Sequence, residues 1–186
     1  ERFVRAGARL SDADKTKLKE LNEQDAALSA KYQTLLLDAA KDAALVIADV
    51  SELAGLSTEE IETAAAAAKS RGLEGRWLIP LLNTTQHPLL SSLTSRATRE
   101  KLFRASWTRA TRGDAHDTRA LISKLADLRA RRAALLGYPS FAAWALEDQM
   151  AKVPAAVEQF LGRLVPPATA NARAEADAIQ ALIARQ

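Results

Sequence analysis

Between Ser11 and Lys41 the chain carries Leu18, Leu21, Leu28, Tyr32, Leu35 and Ala39 at steps of three, four and seven, the spacing that aligns side chains along one face of an α-helix. Ser11 followed by Asp14 makes a cap-like start, so the pattern predicts one amphipathic helix over about Asp12 to Lys41. At ~1.5 Å per residue it would span on the order of 45 Å, longer than a small compact domain usually accommodates, and it needs a long partner. A length of 186 residues, 48% hydrophobic and 26% charged, is enough to bury a core and excludes a disordered chain.

The rest of the chain supplies such partners. Ala44 to Ile47 is short, apolar and β-branched and reads as a buried strand, followed by a turn through Glu52 to Gly55. Ser57-Thr58-Glu59-Glu60 is a capping box that opens a helix closed at Gly72. Arg76 to Leu82 is a second strand candidate, with Pro80 marking an edge or bulge, and the two strands can pair across the intervening helix. Asn83 to Pro88 has loop chemistry. From Ser95 a helix places Leu102, Phe103, Trp107 and Ala110 on one face and arginines on the other. Another runs from about Asp117 to Leu136 with Leu121, Leu125, Leu128 and Leu135 as its stripe and Gly137 as its stop. Ser140 caps Phe141 to Met150, and Pro154 opens a last long helix that Pro166-Pro167 is expected to kink or break. The predicted fold class is mainly α, long antiparallel helices with one small β element at about 44–48 and 76–82. The expected organisation is a single helical segment, 1–186, with a long helix in 1–42, a strand-helix-strand and loop in 43–94, and a helical array in 95–186.

Charge is uneven. Residues 1–62 carry 8 basic and 13 acidic side chains, net −5, whereas residues 96–132 carry 11 basic and 4 acidic, net +7. A basic block can be a nucleic-acid footprint. Here Phe103 and Trp107 lie four apart and are assigned to the buried face rather than to a stacking platform, and the acidic first 62 residues offer Arg96, Arg99, Arg104, Arg109, Arg112 and Arg119 internal partners. The block is read as a solvated or partner-facing surface, with no nucleic acid as partner. Charges interrupt every apolar run short of the roughly 18 residues a membrane-spanning helix needs, so no membrane partner is expected either.

Catalytic patterns are sparse. The two histidines, His87 and His116, are not in the spacing that puts two imidazoles on one helical face. No Gly-x-Ser-x-Gly elbow exists, Ser57, Ser95 and Ser140 read as caps, and Gly55, Gly72, Gly113 and Gly137 are scattered stops. Glu59-Glu60 and Glu147-Asp148 are adjacent acids. Neighbours on a helix point about 100° apart, so they are read as solvated rather than as acid/base dyads. Zero cysteines remove thiolate sites and cysteine nucleophiles. No catalytic, cofactor-binding or metal-binding residue is therefore assigned.

Long collinear stretches nevertheless carry a resemblance. Arg96 to Leu102, Ala105, Arg109, Asp117-Thr118, Leu128-Arg129 and Ala134 to Ala142 resemble the thimet-oligopeptidase family of zinc metallopeptidases. Phe3 to Ala8, Leu53 to Ser57, Asn83 to Gln86 and Leu146 to Lys152 look most like its bacterial peptidyl-dipeptidases (dipeptidyl carboxypeptidases). The resemblance implies a mostly helical enzyme with a deep channel, a His-Glu-x-x-His zinc site, and removal of C-terminal dipeptides from short peptides. Neither His87-Pro88 nor His116-Asp117 matches that motif, so zinc is expected only outside this segment. The chain starts at Glu1 without an initiator methionine and stops at Gln186 without a cap, and both ends read as cuts through a larger protein. The expectation is a non-catalytic N-terminal part that forms one wall of the channel and is inactive alone. Its partners would be short peptide substrates and the missing C-terminal catalytic part. Uncovered apolar stripes, either Leu121, Leu125 and Leu128 or Leu161 and Leu164, would favour self-association. A helical protein-interaction module without activity is the alternative. A cytoplasmic location is expected, with the periplasm as alternative.

Overall fold

The computed structural model of the chain describes residues 2–185, with the side chains of all but 83–86. Its elements are α1 (Arg2–Arg5), α2 (Asp12–Asp42), β1 (Leu45–Ile47), a 3-10 turn (Val50–Leu53), α3 (Thr58–Lys69), β2 (Trp77–Ile79), α4 (Asn83–Ser92), α5 (Arg96–Thr108), α6 (Arg119–Leu135), α7 (Phe141–Leu146) and α8 (Pro154–Ile183). The fold is mainly α with one small antiparallel sheet, as the periodicity predicts. Contacts gather into two units, one made of residues 1–22 and 127–186 and the other of residues 23–126.

In the unit of residues 23–126, β1 and β2 pair antiparallel with Leu45 opposite Ile79 and Ile47 opposite Trp77. β2 stops at Ile79 because Pro80 has no amide hydrogen to give the ladder. Ile47, Leu53, Ile79 and Leu102 are buried together with Leu89 and Leu93. α3 starts on the predicted capping box: the Glu60 amide donates to Ser57 Oγ at 3.2 Å and the Ser57 amide donates to Glu60 Oε2 at 2.7 Å. Its buried residues are Ala64 and Ala68, small enough for β2 to lie close against the helix. Gly55, at φ 97°, is required by a close approach, since a Cβ there would sit 2.2 Å from the Ser92 carbonyl oxygen. That approach is fastened by Thr94, whose amide and hydroxyl both donate to the Ala54 carbonyl at 2.9 and 3.0 Å.

Two expectations fail in this unit. Asn83 to Pro88 is not a loop but the first part of α4, which contains Pro88. Burial of Leu89 and Leu93 in the core holds this turn-rich segment in a helix despite its composition. Phe103 and Trp107 are not on the buried face of α5: they are 53% and 78% exposed, while Thr98, Leu102 and Ser106 are buried. The inward stripe therefore runs at four-residue steps one position, or about 100°, away from the aromatics. It escapes a hydrophobic pattern because two of its three members are polar. Thr98 is satisfied inside by its hydroxyl's bond to Ser95 Oγ at 2.9 Å.

In the unit of residues 1–22 and 127–186, Leu18, Leu21, Leu128 and Ala133 are buried. Gly7, at φ 96°, faces Leu18, Leu10 and Leu136 so closely that a Cβ would fall 2.7 Å from Leu18 Cδ2. α6 ends where predicted, with Gly137 at φ 85° and the Tyr138 amide donating back to the Ala133 carbonyl at 2.9 Å. Ser140 caps α7 through the Ala143 amide at 3.1 Å, but α7 closes at Leu146 rather than Met150. Of the kink or break expected at Pro166 and Pro167, no break occurs: α8 opens at Pro154 and continues to Ile183. Adjacent prolines confine the missing donors to one turn, and the residue four before Pro166, whose carbonyl its ring must avoid, is the pliant Gly162.

Candidate functional site

The densest polar constellation is built around Arg5, brought by the chain's first residues onto α7. Its guanidinium donates to the Trp144 carbonyl at 2.8 Å, pairs through Nε with Glu147 Oε2 at 2.8 Å and through Nη1 with Asp148 Oδ2. The Nε contact is charge pairing without a hydrogen aimed at the oxygen, since that N–H has no aligned acceptor. Tyr138 donates its hydroxyl to the same Glu147 oxygen at 2.5 Å. Arg5 and Arg132 both lie over the Trp144 ring, 5.6 and 4.8 Å from its centroid, which adds cation–π attraction. Arg2, Arg5, Arg9, Lys152, Tyr138 and the two carboxylates face one cavity of about 750 Å³.

Electrostatics makes this an anchor rather than an acid/base device. The bond from Arg5 holds the Asp148 carboxyl below its ordinary range, and the bond to Glu147 pushes the Tyr138 hydroxyl up. Both shifts fix the protonation states found at neutral pH. Glu147 and Asp148 are therefore not simply solvated, as adjacency alone suggested. They follow the end of α7, and both reach one guanidinium. Arg5 has no local signal in the sequence, because its partner carbonyl lies 139 residues away.

The histidines are not brought into a site. His116 Nε2 lies 2.9 Å from Asp42 Oδ2, and its Nδ1 is buried without a partner, while His87 is exposed on α4. Among the described residues no group of three or more His, Asp or Glu side chains could hold a metal ion. The described residues therefore offer no donor set for a zinc ion. Ser57, Ser95 and Ser140 act as caps.

Five basic side chains of residues 96–119 find partners within the unit of residues 23–126. Lys101 pairs with Glu52 at 2.6 Å, Arg99 donates to the Leu93 and Thr94 carbonyls at 2.6 and 2.9 Å, and Arg109 donates to the Ser106 carbonyl at 3.0 Å. Arg104 pairs with Glu100 and Arg119 with Asp117, at 2.8 and 2.5 Å. Lys101 alone among these draws its carboxylate from the acidic first 62 residues. The exposed feature there is aromatic: Phe103 and Trp107 stack with centroids 5.8 Å apart.

Apolar exposure is concentrated on α8. Phe160, Leu161, Leu164 and Val165 in its first half, and Ile179, Leu182 and Ile183 in its last turns, are each 47% exposed or more. Leu121, Leu125 and Leu128 are covered, so of the two stripes expected to lack cover only Leu161 and Leu164 do. No helix of the described residues is long and apolar enough to cross a membrane.

Comparison with known proteins decides the family. Residues 89–186, more than half of the chain, match Peptidase family M3. The chain belongs to that family. Over its entire length this M3 chain is 52% identical to a dipeptidyl carboxypeptidase of Escherichia coli K12, of which it covers 27%. It is 51% identical over 98% of its length to the dipeptidyl carboxypeptidase of Salmonella typhimurium, again covering 27% of that protein. A probable cytosolic oligopeptidase A of Arabidopsis thaliana is 34% identical over 83% of the chain and 23% of the plant protein. The M3 chain thus spans about a quarter of the length of the curated relatives it matches.

Proposed function

We propose that this M3 chain is the non-catalytic part of a zinc peptidase that removes C-terminal dipeptides from short peptides, and that it builds one wall of the substrate channel and is inactive alone. The observation that carries the reading is full-length identity of 52% to a dipeptidyl carboxypeptidase in a chain whose described side chains assemble no metal or acid/base site. Zinc would be held by residues beyond this segment, where it would polarise the scissile carbonyl and activate water. The exposed apolar positions of α8 support a second element of the proposal: they are the surface on which the catalytic remainder of a polypeptide as long as the relatives would pack, and in its absence they favour self-association. A cytoplasmic location accords with the Arabidopsis thaliana relative, a probable cytosolic oligopeptidase A.

The test is an assay of C-terminal dipeptide release by the purified 186-residue chain with zinc, and by a longer polypeptide containing the chain and a His-Glu-x-x-His segment. Chelator-sensitive release by the longer protein and none by the chain is expected. Release that tracks the concentration of the chain alone would overturn the division of labour.

A further inference from the structure

We propose that Arg5 is a positioning residue that fixes the direction in which α8 leaves its unit, with Lys152 as the pivot. The inference rests on the geometry of the unit of residues 1–22 and 127–186 and not on the peptidase reading.

α8 is held at one end. Every residue from Glu158 to Arg185 is exposed, and among the described residues the appreciable contact of α8 with another element is with α7. A 30-residue helix rises about 45 Å at ~1.5 Å per residue, so a small rotation at its base displaces its tip widely. Packing along its length does not set its direction. The link between α7 and α8 must.

That link, residues 147–153, is tightly folded. The Gln149 amide donates to the Leu146 carbonyl at 2.9 Å, Lys152 to Gln149 at 3.2 Å, and Val153 to Ala151 at 2.7 Å. Lys152 has φ 62°, the one residue other than glycine in the left-handed region among those described. A side chain with a Cβ persists there only where its surroundings impose it. What imposes it lies at the start of the link. Glu147 and Asp148 are both drawn to Arg5, and Arg5 is itself fastened to the Trp144 carbonyl. The segment carrying Arg5 is seated in turn by Gly7, pressed against Leu18 and Leu136. A continuous set of fixed groups therefore runs from α2 through the first residues to the base of α8. Without Arg5, Asp148 loses its ion pair and Glu147 keeps only the Tyr138 hydroxyl, and Lys152 is free to return to right-handed backbone and swing the helix.

The chain has no native cysteine, so Ala134→Cys on α6 and Ala172→Cys on α8, both exposed, take a pair of spin labels directly. Pulsed dipolar spectroscopy of the labelled chain diluted into excess unlabelled chain, so that only distances within one molecule are read, should give one narrow distance distribution. Arg5→Ala should broaden it roughly twofold or more, as expected when one state gives way to several. The double variant Glu147→Gln with Asp148→Asn, which removes only charge at exposed positions, should do the same. Arg5→Lys keeps charge but not the reach to the Trp144 carbonyl, and should restore an intermediate width. Circular dichroism and urea unfolding establish that each variant is folded; if Arg5→Ala is not, the carboxylate variant decides. A folded variant of either kind with an unchanged distribution would overturn the proposal.

Discussion

Arg5 and Trp144 bind each other reciprocally: the guanidinium donates to the Trp144 carbonyl at 2.8 Å, and the indole N–H donates to the Arg5 carbonyl at 3.4 Å. Each residue thereby satisfies the other's backbone, and the ring also lies beneath the cation. Trp144→Phe keeps an aromatic face but deletes one donor. The expected loss is about 0.5–1.5 kcal/mol, read from urea unfolding followed by circular dichroism, and a variant as stable as the parent would show that the indole bond contributes nothing.

The rotation of α5 revealed by the structure makes an opposed pair of predictions. Leu102 is fully buried, so Leu102→Ala should cost about 2–5 kcal/mol. Its neighbour Phe103 is 53% exposed, and Phe103→Ala should cost less than about 1 kcal/mol. Equal losses from the two would place the aromatic face inward after all.

Glycines with similar backbone angles should respond differently to Ala. At Gly55 the added methyl would collide with the Ser92 carbonyl oxygen, whereas at Gly72, φ 72°, it meets nothing within 4 Å. Gly72→Ala should cost only the left-handed penalty, ~1–2 kcal/mol. Gly55→Ala should exceed it clearly, and chemical denaturation of the two variants side by side checks the ranking.

Acid should weaken the fold through identifiable carboxylates. Asp148 is held low by Arg5, Asp117 by Arg119, Asp14 by Lys17 and Ser11, and Asp49 by the Ser51 amide. A carboxyl depressed in the folded state contributes stability in full above its unfolded value, ~3.9, and loses it as pH falls through the folded one. Denaturation midpoints should therefore drop below about pH 4. Asp117→Asn should lie below the parent at pH 7 and converge with it in strong acid; a constant gap at every pH would refute the assignment.

The signals that survived into the structure are local ones. Ser57 with Glu60, Ser140, Gly137 and Pro154 each act within four residues, so a cap, a stop or a start can be read without knowing what lies nearby. The two strands were legible because Ile47 and Ile79 sit in short apolar runs. What was hidden depends on partners distant in sequence. Leu89 and Leu93 override turn-forming Asn83 to Pro88 only because a core exists to receive them, and Thr98 and Ser106 face inward although a hydrophobic pattern passes over them. Arg5 looked like any basic residue, since nothing in its neighbourhood announces Glu147, Asp148 or the Trp144 carbonyl.

The interleaving of the two units sets an order of assembly. Residues 23–126 form one of them without interruption, so every contact in it can be made while later residues are still being synthesised. The other needs residues 1–22 to meet residues 127–186. Arg5 must wait until the ribosome has released Trp144 and Asp148 before its bonds can form, and closing so long a loop carries an entropic cost that earlier folding of the intervening unit reduces by bringing its ends into defined places. Until residues 144–148 have emerged, the segment carrying Arg5 lacks the carbonyl and the carboxylates that seat it on α7.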